Sequence, residues 1–276
     1  MAEKSLFDEV AVISIYNNDP ESLVAKFNTV VLYDQSDQIE FQHLISQSYP
    51  GSIKTENSGH SLSNYFKFII DNYYNLPFRI HFLKSNVVPR HISENALIRK
   101  LDLSGIVPIF NDENFKDKPR IAYHLFPGYF IERNNSWFIK NAEPKYFASC
   151  NDLLNYMFKN PIMPEYLLFA PGGNYSTYGK ALTLYPLNFW KFLHYITTYQ
   201  YFPQEAYLVE RLLFIIFSAE YQINWENFDD SWSDKLELSR ENSVQDNGNR
   251  KPVKRSWLTR KFLSKTIFEL EKRGFI

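Results

Sequence analysis

Three short β-branched apolar runs, each closed by a polar turn and separated by helix-like segments, constrain this chain more than any other feature. The first is Val10–Tyr16 (VAVISIY), which runs into Asn17-Asn18-Asp19-Pro20. The second is Thr29–Tyr33 (TVVLY), followed by Asp34-Gln35-Ser36-Asp37, and the third is Arg79–Leu83 (RIHFL), followed by Lys84-Ser85-Asn86. Runs that are mostly apolar rather than alternating read as strands buried on both faces. Between them lie a brief segment at Glu21–Phe27 and a longer one at Ser61–Tyr74. In the longer one Leu62, Tyr65, Phe66, Ile69, Ile70 and Tyr73 fall at helical spacing, with Ser61 or Ser63 available as a cap. Such alternation predicts an α/β chain with a mostly parallel sheet of Rossmann type, flanked by helices. Ligands of such sheets bind beyond the C-terminal strand ends. That rule selects Tyr16, Asn17, Asn18, Asp34–Asp37, Lys84, Ser85 and Asn86 as one expected mouth.

The second half carries a different signal over Tyr166–Arg211. An apolar run, Tyr166–Ala170, meets Pro171-Gly172-Gly173-Asn174, then a Tyr/Ser/Thr-rich run and two helical segments, Leu187–Tyr199 and Gln204–Phe217. Paired glycines allow a ligand to approach the backbone where a side chain would clash. Between the halves, Leu101–Met163 reads as loops and strands covering the sheet, with a short helix at Asn151–Phe158. Asp229–Arg255 is polar and poor in large apolar residues, which predicts a linker or mobile loop. Ser256–Arg273 has the pattern of a basic amphipathic helix, suited either to an anionic membrane surface or to docking on its own domain. The expected division is thus a domain over 1–228, a linker over 229–255 and a helical appendage over 256–276.

With 276 residues, 45% of them hydrophobic and including 24 Phe and 19 Tyr, the chain can bury a large core. A net charge of −1 gives no global electrostatic case for nucleic-acid binding. The single cysteine, Cys150, excludes an intramolecular disulfide and a cysteine-cluster metal site. The N-terminus MAEKSLFDEV lacks an apolar signal core, and no window approaches the roughly 18 uninterrupted apolar residues of a spanning helix. The expectation is a cytoplasmic protein.

Several residue types carry chemistry. Glu205 and Glu210 are candidate general bases for deprotonating a hydroxyl, and Arg211 is suited to holding phosphate or pairing with a neighbouring acid. Carboxylates in Asp34–Asp37 suit a ribose, magnesium or manganese, although Asp also stabilises turns by itself. No Asp-x-Asp motif follows the third strand; Lys84 stands there instead, and a lysine can neutralise a diphosphate by direct charge pairing. The histidines, His43, His60, His81, His91, His124 and His194, show no ligand spacing. No nucleophile elbow, Walker loop or GxGxxG occurs.

Taken in order, Asn57-Ser58-Gly59, Ile69-Ile70-Asp71-Asn72-Tyr73, Leu76-Pro77, Phe82-Leu83, Pro171-Gly172-Gly173-Asn174-Tyr175, Tyr185-Pro186-Leu187-Asn188-Phe189-Trp190 and Glu205–Phe217 resemble an uncharacterised glycosyltransferase-like family of fungi and bacterial polysaccharide loci. Glu210-Arg211-Leu212 is similar to an element of bacterial polysaccharide glycosyltransferases of the GT-A fold. His60-Ser61 stand where that family has Arg-Glu, and Lys84 where it has histidine. The resemblance implies a GT-A-like domain that moves sugar from a nucleotide-sugar donor to a lipopolysaccharide or capsule acceptor, glycan or lipid-linked. It implies nucleotide contacts at Tyr16, Asn17, Asn18, Asp34, Asn57 and Gly59, and donor phosphate or sugar contacts at Lys84, Ser85, Asn86 and Arg211. The acceptor would lie at Gly172, Gly173 and Asn174, with Glu210 or Glu205 as base. The missing acidic motif and the altered turn leave a second reading, a non-catalytic nucleotide- or carbohydrate-binding protein on the same fold.

Overall fold

A computed structural model describes residues 9–110, 122–123, 130–134 and 144–246, without the side chains of 122–123 and 241–246. In chain order the elements are β1 (Glu9–Ile15), α1 (Glu21–Val24), β2 (Val30–Asp34), α2 (Ile39–Ser48), β3 (Ile53–Lys54), α3 (His60–Asp71) and β4 (Arg79–Lys84). There follow α4 (Val87–Arg90), α5 (Glu94–Leu101), β5 (Val107–Pro108), β6 (Ala122–Tyr123), β7 (Phe130–Arg133), α6 (Cys150–Met157) and β8 (Tyr166–Phe169). The last are β9 (Tyr175–Tyr178), α7 (Gly179–Leu182), α8 (Leu187–Thr198), α9 (Gln204–Ser218) and α10 (Trp232–Asp246).

Six strands form one mixed sheet in the order β3-β2-β1-β4-β9-β5. β1 pairs in parallel with β2 on one side and with β4 on the other, so it is buried along all but its first residue. This explains why its sequence is apolar without alternation. β9 runs antiparallel to β4 and to β5. A smaller antiparallel sheet, β6-β7-β8, packs beside α9.

The period of two along β1 divides the core between the faces. Val10 and Val12, with Ile80 and Phe82 of β4, join the aromatic cluster under α3, α6, α8 and α9. Ala11, Ile13 and Ile15 face the other way, onto Leu23 of α1, Ile45 of α2 and Leu97 of α5. Helices therefore cover both faces of the sheet, the α/β arrangement expected from the alternation of elements. Cys150 is fully buried among the larger cluster, and burial pushes its thiol up to about 12.

One sequence expectation is corrected. Residues 232–246 form α10, within the stretch whose polarity predicted a linker. Two apolar side chains hold it: Leu236 is buried, and the Trp232 ring lies 5.7 Å from Tyr195 and 6.4 Å from Phe192 of α8. Their i, i+4 spacing gives one narrow apolar contact, too small to outweigh the polar residues in a composition count. The expected helix at 256–276 lies outside the described residues. Among the described residues no helix is long and apolar enough to cross a membrane.

Candidate functional site

The chain leaves β1 toward β2 on one side and later enters β4 on the other, which makes the β1/β4 gap a topological switch point. Loops at the C-terminal ends of two such strands diverge and leave a crevice. A cleft of about 460 Å³ opens there, a size suited to a small-molecule ligand. Ser14 lines it from β1 and Tyr16 from just beyond, Gln35 from the end of β2, and Lys84, Ser85 and Asn86 from the end of β4. Asn57, His60, Ser61 and Leu62 close it at the start of α3, and Gly172, Ala206, Tyr207 and Glu210 from the β8–β9 turn and α9.

Polar side chains behind the surface fix this geometry. Asn64 of α3 donates from Nδ2 to Ser14 Oγ at 2.8 Å and to Gln35 Oε1 at 3.1 Å, tying the ends of β1 and β2 to the helix. Asn174 Oδ1 accepts the Lys84 backbone N–H at 2.7 Å, and Ser85 Oγ donates to Asn18 Oδ1 at 2.5 Å. Asn17, at φ +48°, accepts the N–H groups of Asp37 and Gln38 and donates to Asp37. Those contacts, first from Asn17 and then from Tyr16, hold the Asp37 carboxyl below its ordinary range.

Glu210 enters the cleft from α9. Its Oε1 accepts the Gly172 N–H at 2.5 Å, while its Oε2 lies 3.8 Å from the Arg211 guanidinium. Burial lowers the Lys84 pKa; the Glu210 charge opposes that shift and Arg90 adds to it. His91 is 7% exposed, and burial, with the nearby Lys84 and Arg90 charges, lowers it to about 3. His60 is lowered by burial first and then by Lys84. The cleft thus presents one carboxylate, two cations and two neutral imidazoles. Four buried nitrogen atoms around it have no hydrogen-bond partner: His60 Nε2, both ring nitrogens of His91, and Asn174 Nδ2. Buried polar groups are normally paired, so orphans clustered at a cleft mark places where a ligand or water completes the pairing.

A second concavity of about 550 Å³ lies near the opposite strand ends, beside Glu9 and Arg79. There the Arg79 guanidinium already donates to the Gly105 and Leu103 carbonyls, each at 2.6 Å. The Arg79 donors are thus spent on the protein.

Of the residues expected from sequence, Tyr16, Asn57, Lys84, Ser85, Asn86, Gly172 and Glu210 come together in this cleft. Asn17 and Asn18 brace its rim. The others do not reach it. Asp34 is buried, accepts the Ser36 N–H at 2.9 Å and pairs with Lys54 at 3.2 Å, so its carboxylate shapes the turn. Gly59 has φ +64°, and a Cβ there would stand 2.3 Å from the Thr197 carbonyl oxygen; its lack of a side chain serves helix packing. Gly173 packs against Leu62, and Asn174 is fully buried behind the turn. At Gly172, φ is +91° and a Cβ would meet the His91 ring at 2.8 Å, so the close approach expected of a ligand is made there by a histidine.

Glu205 and Arg211 are corrected more sharply. Glu205 is 0% exposed, and its carboxylate accepts the N–H groups of Tyr146 and Phe147 and the Tyr199 hydroxyl. It cannot reach a hydroxyl in the cleft. Arg211 turns away and pairs at 3.1 Å with Glu132 of β7, both side chains being buried. Sequence reading missed Asn64, His91 and Glu132; no spacing rule links them to the strand ends they serve. Among the described residues no group of three His, Cys, Asp or Glu side chains is placed to hold a metal ion.

No protein-family model, curated protein or solved structure matches the chain.

Proposed function

We propose that the chain is a glycosyltransferase of GT-A-like type, using a nucleotide-sugar donor and a glycan or lipid-linked glycan acceptor of the surface-polysaccharide class. The observation that carries this reading is the meeting of the Glu210 carboxylate and the Lys84 ammonium group in one cleft at the switch point. Sugar transfer needs both charges. The acceptor oxygen bonds to the anomeric carbon as its proton passes to a carboxylate, while the bond to the diphosphate oxygen breaks and negative charge grows on the leaving group. Glu210 is the base, oriented by the Gly172 N–H on one oxygen. Lys84 and Arg90 offset the charge on the diphosphate. Tyr16 and Asn57, at the mouth, are the contacts assigned to the nucleoside, with Asn57 held by the Tyr201 hydroxyl at 2.9 Å. Cytoplasmic location and peripheral membrane contact through 256–276 belong to the same proposal and place the enzyme beside a lipid-linked acceptor.

Thermal unfolding of the full chain against a panel of nucleotides and nucleotide-sugars tests donor binding. Ligand at about 100 times its Kd stabilises the native state by about 2.7 kcal/mol. For a chain this size that raises Tm by roughly 5–10 °C. The expected result is such a rise with one nucleoside diphosphate and its sugar conjugate, reduced in Lys84→Met. A panel without any shift removes the donor site.

A further inference from the structure

We propose that the cleft holds a diphosphate without a metal ion, on a composite anion site made of the α3 N-terminus, Lys84, Arg90 and the His91 imidazole. The site deepens the transferase reading and rests on it for the identity of the donor, but its anion chemistry is independent of turnover. Three observations converge. First, α3 is twelve residues long and begins in the cleft at His60, Ser61 and Leu62. Gly59 and His60 lie at φ +64° and +54°, and no side chain caps the helix. Its first-turn N–H groups therefore receive no acceptor from the helix itself, and the dipole makes that end attractive to negative charge.

Second, His91 is 93% buried by the complement of its 7% exposure, lines the same cleft, and has neither ring nitrogen paired. A neutral imidazole carries one N–H, so one of those nitrogens is a donor in want of an acceptor. Burial next to Lys84 and Arg90 keeps the ring neutral. An anion is the partner that satisfies the ring N–H beside the Lys84 charge.

Third, no ion pair involving Lys84 occurs among the described residues. Its charge remains for a ligand, where charge-assisted contacts are short and strong. The one cleft carboxylate, Glu210, is engaged on one oxygen by the Gly172 N–H. Diphosphate suits the span better than a single carboxylate, because its two phosphoryl groups can address a helix terminus and a pair of cations together.

Isothermal titration of the full chain with inorganic pyrophosphate, in the presence of a chelator, tests the site. The expected result is metal-independent binding, weakened roughly 10- to 100-fold in Lys84→Met, as for loss of a hydrogen bond to a charged group. Two further variants isolate the helix terminus. His60→Asn keeps a residue tolerant of positive φ and adds no charge, and is the reference against which an added charge at that position is read. His60→Asp puts a carboxylate over the first-turn N–H groups, so binding is lost relative to His60→Asn. Lys180→Met, an exposed lysine away from the cleft, leaves binding unchanged. Three results each overturn the proposal: no binding by the folded protein under chelation, binding restored by magnesium or manganese alone, or binding as tight as wild type in both Lys84→Met and His60→Asp. Metal-dependent sugar transfer without pyrophosphate binding under chelation would sink the anion site and keep the transferase. Pyrophosphate binding with no turnover of any nucleotide-sugar would do the reverse.

Discussion

Glu210→Gln is expected to lower sugar transfer by roughly 10²- to 10⁴-fold, the usual span for a lost general base, while leaving the protein folded. The amide has nearly the shape of the carboxylate and keeps an oxygen to accept the Gly172 N–H, so the β8–β9 turn stays in place. The side chain is 20% exposed and its nearest cation, Arg211, is 3.8 Å away. At that separation no hydrogen bond to Arg211 is lost with the charge. The substitution removes the one property that cannot be replaced, the ability to take a proton from an attacking hydroxyl. The loss belongs in kcat, with the donor KM nearly unchanged, because the donor phosphates face Lys84 rather than Glu210. Steady-state rates and a melting curve on the same sample read both halves. An equal loss of Tm and activity would assign Glu210 to the fold instead.

The second large effect is on stability. Arg211→Met removes the cation from the Arg211–Glu132 pair, whose side chains are 6% and 3% exposed. Breaking a buried pair from one side leaves an uncompensated charge and costs about 3–5 kcal/mol. The sign of its pH dependence follows from Glu132. Burial already raises its pKa, and the Arg211 charge opposes that rise, so losing Arg211 moves the folded pKa further up. The folded variant then binds a proton more readily than the unfolded chain, whose Glu titrates near 4.3. Stability relative to wild type is lost as pH rises from about 4.3 through the raised folded value, and regained on acidification. Urea unfolding of Arg211→Met at several pH values checks this. The double variant Arg211→Met/Glu132→Leu recovers much of the deficit, since an apolar pair can replace a buried ion pair. A deficit that persists in the double variant would place the loss in packing, including the guanidinium contact 5.1 Å from the Phe169 ring.

These two residues show how far the sequence could be read. They are adjacent, and their motif-like appearance put both at the site, yet one enters the cleft and the other enters the core. Glu205 and Glu210 posed the same problem. Five residues apart on α9, they lie about 140° from each other around the helix axis and cannot share a face. Periodicity says that they part. It does not say which side is core, because β7, which supplies Glu132, comes from an aromatic region with no clear strand pattern. The strand ends were legible for the opposite reason. β1, β2 and β4 are short, apolar and bounded by polar turns, and the switch-point rule needs only their order. His91, Asn64 and Asn174 were not legible, since each acts through a contact distant in sequence: Asn64 Nδ2 to Ser14, Asn174 Oδ1 to Lys84, and the His91 ring against Gly172. The resemblance pointed toward the glycine turn and the start of α3. There the geometry gives glycines a packing role and His60 a left-handed helix start.

The most direct measurement is release of nucleoside diphosphate from a panel of nucleotide-sugars, incubated with the full chain and glycan or lipid-linked acceptors. Release above the spontaneous rate by wild type, with a matching glycosylated product and loss of both in Glu210→Gln, is the result expected of the transferase. Saturable binding of a nucleotide-sugar with neither release nor transfer would contradict it, and would leave a binding protein that holds the donor without reacting it.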